Sequence, residues 1–162
     1  MTPPTAIVSV RVDVPPPRAF ALFVDEIDRW WRRGPKFRHA GGAAGVMRIE
    51  PRLGGAVTEA WTTSGETKSF ELGRVTAWEP PLRLAFTWRN ATFAPFESTD
   101  VDVAFTAMGA STLVTVRHRG WESLRPDHPA RHGQDDVALQ RDVGLWWSEL
   151  LSALRLHAPI VD

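Results

Sequence analysis

Late in this chain the apolar residues change from strand spacing to helical spacing, and that change limits it to a small set of folds. Leu82, Leu84, Phe86 and Trp88 alternate with Arg83, Ala85, Thr87 and Arg89, the period of a strand with one face toward a core. Val101, Val103 and Phe105 keep that period, as do Thr112, Val114, Val116 and His118. Leu139, Val143, Trp147, Leu150, Leu151 and Leu154 then recur at helical spacing, which predicts one long helix over 134–157. Asp135 and Asp136 near its start, with Arg155 and His157 near its end, suit the helix dipole. An antiparallel sheet with one apolar face needs a cover, and this helix is the element able to supply it.

The N-terminal half completes the pattern. Val8, Val10, Val12 and Val14 share one face of a strand over 6–14, which Pro15-Pro16-Pro17 stops. Proline suits the first turn of a helix, and Phe20, Phe23, Val24 and Ile27 predict one over 16–32. Gly34-Pro35 ends it, and a glycine-rich loop follows at 41–45. Strands are expected over 46–50, 56–63 and 68–78, with a hairpin turn at Ser64-Gly65-Glu66 and a corner at Pro80-Pro81. The order is strand, helix, about six strands, long helix: one α+β domain over residues 1–162 with a mostly antiparallel sheet.

Composition removes several function classes. With no cysteine, disulfides, thiolate chemistry and iron–sulfur clusters are excluded. Lys+Arg and Asp+Glu both number 19, so the basic excess of a nucleic-acid binder is missing. No apolar run approaches the ~20 residues that span a bilayer. Met1-Thr2-Pro3-Pro4-Thr5 lacks the regions of a signal peptide, so a cytoplasmic location is expected. Eight tryptophans and no tyrosine fit either an apolar core or an apolar pocket, which share a composition.

Few residues carry chemistry. His118 shares strand parity with Val114 and Val116 and should point inward, as a satisfied core imidazole or as a base, donor or ligand. Glu59 shares parity with Val57 and Trp61; it is either an inward carboxylate that needs partners or a solvated edge charge. If both face one cavity, they form an acid–base pair. His128 and His132 stand four apart among Asp127, Asp135 and Asp136, but Pro129 and Gly133 make a solvated loop the expectation, with no metal and no cofactor. The loop at 41–45 lacks the Lys-Ser/Thr of a phosphate-binding loop. No serine sits in a nucleophile elbow. Arg29, Arg32 and Arg33 read as a solvated helix end.

The motifs and their order resemble the SRPBCC (START-like, Bet v I-like) superfamily, in the branch named for the activator of the HSP-90 ATPase. They are Val12-Asp13-Val14-Pro15 leading to Ala19-Phe20 and Trp30-Trp31; Gly54-Gly55 before the strand holding Glu59; Gly73-Arg74-Val75 followed by Trp78-Glu79-Pro80-Pro81-Leu82-Arg83-Leu84 and Thr87-Trp88; Thr112 to Val116 into His118 and Gly120-Trp121; and Trp147 with Leu151 and Leu154. Trp146 stands where such relatives commonly have glycine, and Gly144 lies inside the helix. The resemblance implies a helix-grip fold, a curved antiparallel sheet of about six to seven strands around the C-terminal helix, with a cavity between them.

On that resemblance the expected function is binding of a small apolar or amphipathic ligand. The lining would come from Phe20, Trp61, Trp78, Phe86, Trp88, Phe105 and Trp147, with His118 and Glu59 as polar anchors. A cyclase, aromatase or hydrolase could use the same cavity, and a co-chaperone-like interaction module, alone or as a homodimer, is a third reading. The activators of that branch carry an additional N-terminal domain, which ranks the third reading last.

Overall fold

The computed structural model describes residues 5–40 and 45–160; most of the glycine-rich loop, 41–44, lies outside them. Strand β1 (Ala6–Val12) leads into helices α1 (Pro16–Asp25) and α2 (Ile27–Trp30). Six strands follow: β2 (Val46–Ile49), β3 (Ala56–Thr63), β4 (Glu66–Glu79), β5 (Arg83–Trp88), β6 (Thr99–Met108) and β7 (Ser111–Arg119). Helix α3 (Asp136–His157) closes the series. The seven strands form one antiparallel sheet in the order β1-β7-β6-β5-β4-β3-β2, curled into a half-barrel. Strands β2 to β7 meander, and β1 returns to pair with β7, with Val8 opposite Val116 and Val10 opposite Val114. This is the helix-grip α+β fold.

The inward faces follow the predicted parity. Leu84, Phe86, Val101, Val103, Phe105, Val114 and Val116 are all buried, and Trp147, Leu150, Leu151 and Leu154 of α3 meet them in one core. Asp135 caps α3, its carboxylate accepting the Ala138 N–H at 2.8 Å, so the helix begins at 136 and not at 134. A smaller apolar cluster of Phe93, Trp121, Leu124, Ala130 and Leu139 packs beneath the segment joining β7 to α3. Among the described residues, no helix is long and apolar enough to cross a membrane.

Two departures from the periodicity have physical causes. The helix expected over 16–32 divides at Glu26, whose backbone (φ −112°, ψ 22°) leaves the helical region. The Glu26 carboxylate there meets Arg18 of α1 at 3.3 Å and His157 from the end of α3 at 3.1 Å, the latter a long-range contact that local spacing does not register. On β4, register shifts opposite Val57/Thr58 and between Val75 and Ala77 insert extra residues. A bulge of this kind re-aims the side chains that follow it. Val75 is buried and Trp78, three residues on, packs against the same core.

Gly144 neither kinks α3 nor permits a close approach. The helix runs unbroken through it, and a Cβ added there would meet only Val8 Cγ2, at 4.0 Å. Glycine inside a helix costs about 1 kcal/mol relative to alanine. Gly144→Ala should therefore raise stability by about 0.5–1 kcal/mol in denaturant melts; a loss of stability would show a constraint on this position that the packing does not contain.

Candidate functional site

The segment from Trp30 to Ala40 forms a strap between the sheet and α3. Trp31 sits at its centre, 5.6 Å between ring centroids from Trp88 of β5 and from both Trp146 and Trp147 of α3. Its indole N–H donates to Phe37 O at 3.1 Å, and that of Trp146 donates to Lys36 O at 2.9 Å. The bulky residue at 146, where a glycine is expected, is thus half-buried against the strap.

Polar groups hold the strap down. The buried Arg38 guanidinium donates to Asp28 Oδ1 at 2.6 Å and to the carbonyls of Trp31, Asp28, Gly45 and Arg32 at 2.7–3.2 Å. Burial alone would raise the Asp28 pKa, but hydrogen bonds from Arg38 and the Met47 N–H, with the charges of Arg38 and Arg33, hold it below its ordinary value. Glu59, fully buried on β3, accepts the backbone N–H groups of His39 at 2.7 Å and Ala40 at 2.9 Å. Gly45 makes room for this carboxylate, since a Cβ there would lie 2.5 Å from Glu59 Oε2. His39 stacks on Phe70 at 4.3 Å, and burial lowers its pKa despite the nearby Glu59. Of the two expectations for Glu59, the inward carboxylate is the one found, with the strap's backbone as its partner.

His118 lies elsewhere in the interior and is equally engaged. The Trp147 indole can only donate, so its N–H···Nδ1 bond of 3.0 Å makes Nδ1 an acceptor. The neutral ring then carries its proton on Nε2 and donates to Thr99 Oγ1 at 2.7 Å, and Thr99 donates in turn to Trp88 O at 3.1 Å. A second ring proton would face the Trp147 N–H. Burial pushes the His118 pKa down to about 3. No hydrogen bond joins His118 to Glu59, whose partners are those of the strap.

An open cleft lies between α1 and the β4–β5 corner. Its volume is about 460 Å³, and it is lined by Pro17, Phe20, Ala21, Val24, Asp25, Pro51, Trp78, Pro80 and Pro81. The α1 residues among these fall at i, i+3, i+4, i+7 and i+8, one helical stripe. Phe20 meets Trp78 edge to face at 5.1 Å and is backed by Phe105 at 5.0 Å. Phe20 and Trp78 are thus brought together, and the cleft lining includes none of the other residues expected to share a cavity. Phe86, Phe105, His118 and Trp147 belong to the interior, Trp88 to the tryptophan cluster, Glu59 to the strap, and Trp61 is half-buried on β3. Trp31 was named only as part of the Trp30-Trp31 motif, and Arg38 and Asp28 were not singled out, because they stand ten residues apart with no periodic relation and most of their other partners are backbone groups that leave no pattern.

The histidine pair after β7 departs from the solvated loop expected there. His132 is exposed, but His128 is buried, accepting the Ala130 N–H on Nδ1 at 3.1 Å and donating from Nε2 to Glu97 at 3.0 Å. Phe93 packs on its ring at 5.0 Å, so a satellite core encloses it. Among the described residues, no three metal-ligating side chains come together.

Residues 13–139 match a family described as "Activator of Hsp90 ATPase homolog 1-like protein". The chain is similar in fold to protein MLL2253 from Mesorhizobium loti, at 17% identity and TM-score 0.65, covering 98% of each chain. It is also similar to PFC0360w, described as an HSP90 activator from Plasmodium falciparum, at 15% identity and TM-score 0.62, covering 94% of each. A third is the Aha1 dimer from Colwellia psychrerythraea, at 13% identity and TM-score 0.61, covering 98% of this chain and 96% of that one. Comparison with curated proteins finds no match.

Two outcomes follow from the buried polar groups. Arg38→Met leaves Asp28 without its main partner and the strap carbonyls without donors, and should cost about 3 kcal/mol in denaturant melts; a loss below about 1 kcal/mol would mean the strap does not depend on Arg38. For His118, the unfolded chain gains a proton below pH 6.5 while the folded chain does not until about pH 3. Its contribution is therefore complete above 6.5 and declines as pH falls, by up to about 1.4 kcal/mol per pH unit. Between pH 6.5 and 5 the stability of His118→Gln should fall less steeply than that of the wild type; parallel slopes would show that His118 titrates normally.

Proposed function

This chain belongs to the Activator of Hsp90 ATPase homolog 1-like family, and we propose that it is a binding module for a small apolar molecule, taken up in the cleft beside α1. The observation that carries this reading is the wall of Phe20, Trp78, Val24 and four prolines around about 460 Å³ of open space, within the size range of ligand pockets. The expected polar anchors His118 and Glu59 have their polar atoms engaged by the fold, which favours this cleft over the interior. A cyclase or hydrolase would need an acid and a base positioned together, and Asp25 is the one titratable side chain in the cleft lining. Binding without chemistry is the reading the lining supports.

A second reading, a protein-docking module, is favoured by the neighbours described as an HSP90 activator and as an Aha1 dimer. On it, the exposed Leu53 and Leu82 on turns and the exposed Met108 at the end of β6 would meet a chaperone-type partner or a second copy in the cytoplasm.

Titration with a neutral apolar probe, N-phenyl-1-naphthylamine, separates the two. Trp78 lies in the cleft, so saturable binding should perturb tryptophan emission. Ala21→Phe fills the space between Phe20 and Val24 and should weaken binding at least about ten-fold with the fold intact, the scale of a displaced side-chain contact. No saturable binding, with association seen by light scattering, would support the docking module in its place.

A further inference from the structure

The cleft differs from a plain apolar pocket in one respect: an uncompensated carboxylate borders it. The acidic side chains along α1 and α2 are otherwise in ion pairs. Glu26 meets Arg18, Arg29 and His157, and Asp28 meets Arg38 and Arg33. Asp25 has no ion pair or hydrogen bond among the described residues, and it is exposed on the cleft side of α1. It is also the last residue of that ten-residue helix, whose C-terminal end carries the negative pole of the dipole. No Lys, Arg or His is among the lining residues.

We propose that the cleft selects a cationic amphiphile, a molecule with an apolar body and a single ammonium head. The apolar body lies against Phe20, Val24 and the prolines, and the head lies between the Asp25 carboxylate and the Trp78 ring. An indole face attracts a cation through its quadrupole, and the helix end and the carboxylate act in the same direction. An anionic head of the same size meets the Asp25 carboxylate, the negative helix end and the face of the Trp78 ring, with the Trp78 indole N–H as the one side-chain donor of the lining and no cationic side chain. This rests on the reading of the cleft as a small-molecule site and specifies its ligand class.

The test uses three probes with one chain length: decyltrimethylammonium, decanol and decanoate, titrated into the full chain at physiological salt and followed by tryptophan emission and calorimetry. The ammonium should bind about ten-fold more tightly than decanol, the combined scale of an exposed cation–π contact and an exposed ion pair, and decanoate should bind more weakly than decanol. Asp25→Asn should bring the ammonium to within about three-fold of decanol and leave decanol unchanged, since the amide keeps the shape and loses the charge. Ala21→Phe should weaken all three. Binding of decanol with no preference for the ammonium, or a preference for decanoate, overturns this inference and leaves the apolar cleft standing. Binding of none of the probes, or undiminished binding in Ala21→Phe, overturns the cleft reading itself.

Discussion

Trp31 holds the sheet and the long helix at their distance. Its ring touches Trp88 on one side and Trp146 and Trp147 on the other, so a non-regular segment supplies part of the interface between two regular elements. Such a segment carries carbonyls and N–H groups that must be satisfied when buried. Arg38 answers the carbonyls and Glu59 answers two N–H groups. Neither charge would remain buried without this work, because an unpaired one is far more costly than a paired one. Aromatic packing and polar strapping are therefore one interaction: Trp31 is placed by Arg38, and Arg38 is tolerated because the strap surrounds it.

That arrangement decides where function can reside. A buried histidine and a buried glutamate in a fold of this type invite a catalytic reading, yet both are held by donors or acceptors that the fold itself provides. Trp147 fixes the His118 tautomer and Thr99 accepts the hydrogen bond from its Nε2–H, leaving the ring no free lone pair for a substrate. Reactive groups need unfilled hydrogen-bonding capacity at a surface or cavity, and in this region Asp25 retains it.

Much of the architecture was legible. The alternation from Leu84 to His118 and the helical stripe from Leu139 to Leu154 anticipated the sheet, its inward face and its cover, because burying a face imposes a period of two on a strand and 3.6 on a helix; Leu82, which shares that parity, falls in the turn before β5 and is exposed. The family was legible too, from motifs spread along most of the chain. The site was less so. Phe20 and Trp78 were named among many aromatics, but nothing in their spacing separated them from Phe86 or Phe105, since all satisfy the same apolar parity.

The sequence by itself determined the element order, the residues that face inward and the absence of cysteine chemistry, all consequences of local periodicity and composition. Only the tertiary structure decided that Glu59 holds a backbone strap, that His118 is a neutral hydrogen-bonding post, that His128 is enclosed and that Asp25 stands unpaired on the cleft that Trp78 also lines. Periodicity reports which side of an element a residue occupies. Whether a polar group there is free depends on donors and acceptors brought from distant parts of the chain, and hydrogen bonds formed with backbone groups leave no mark in the amino-acid pattern.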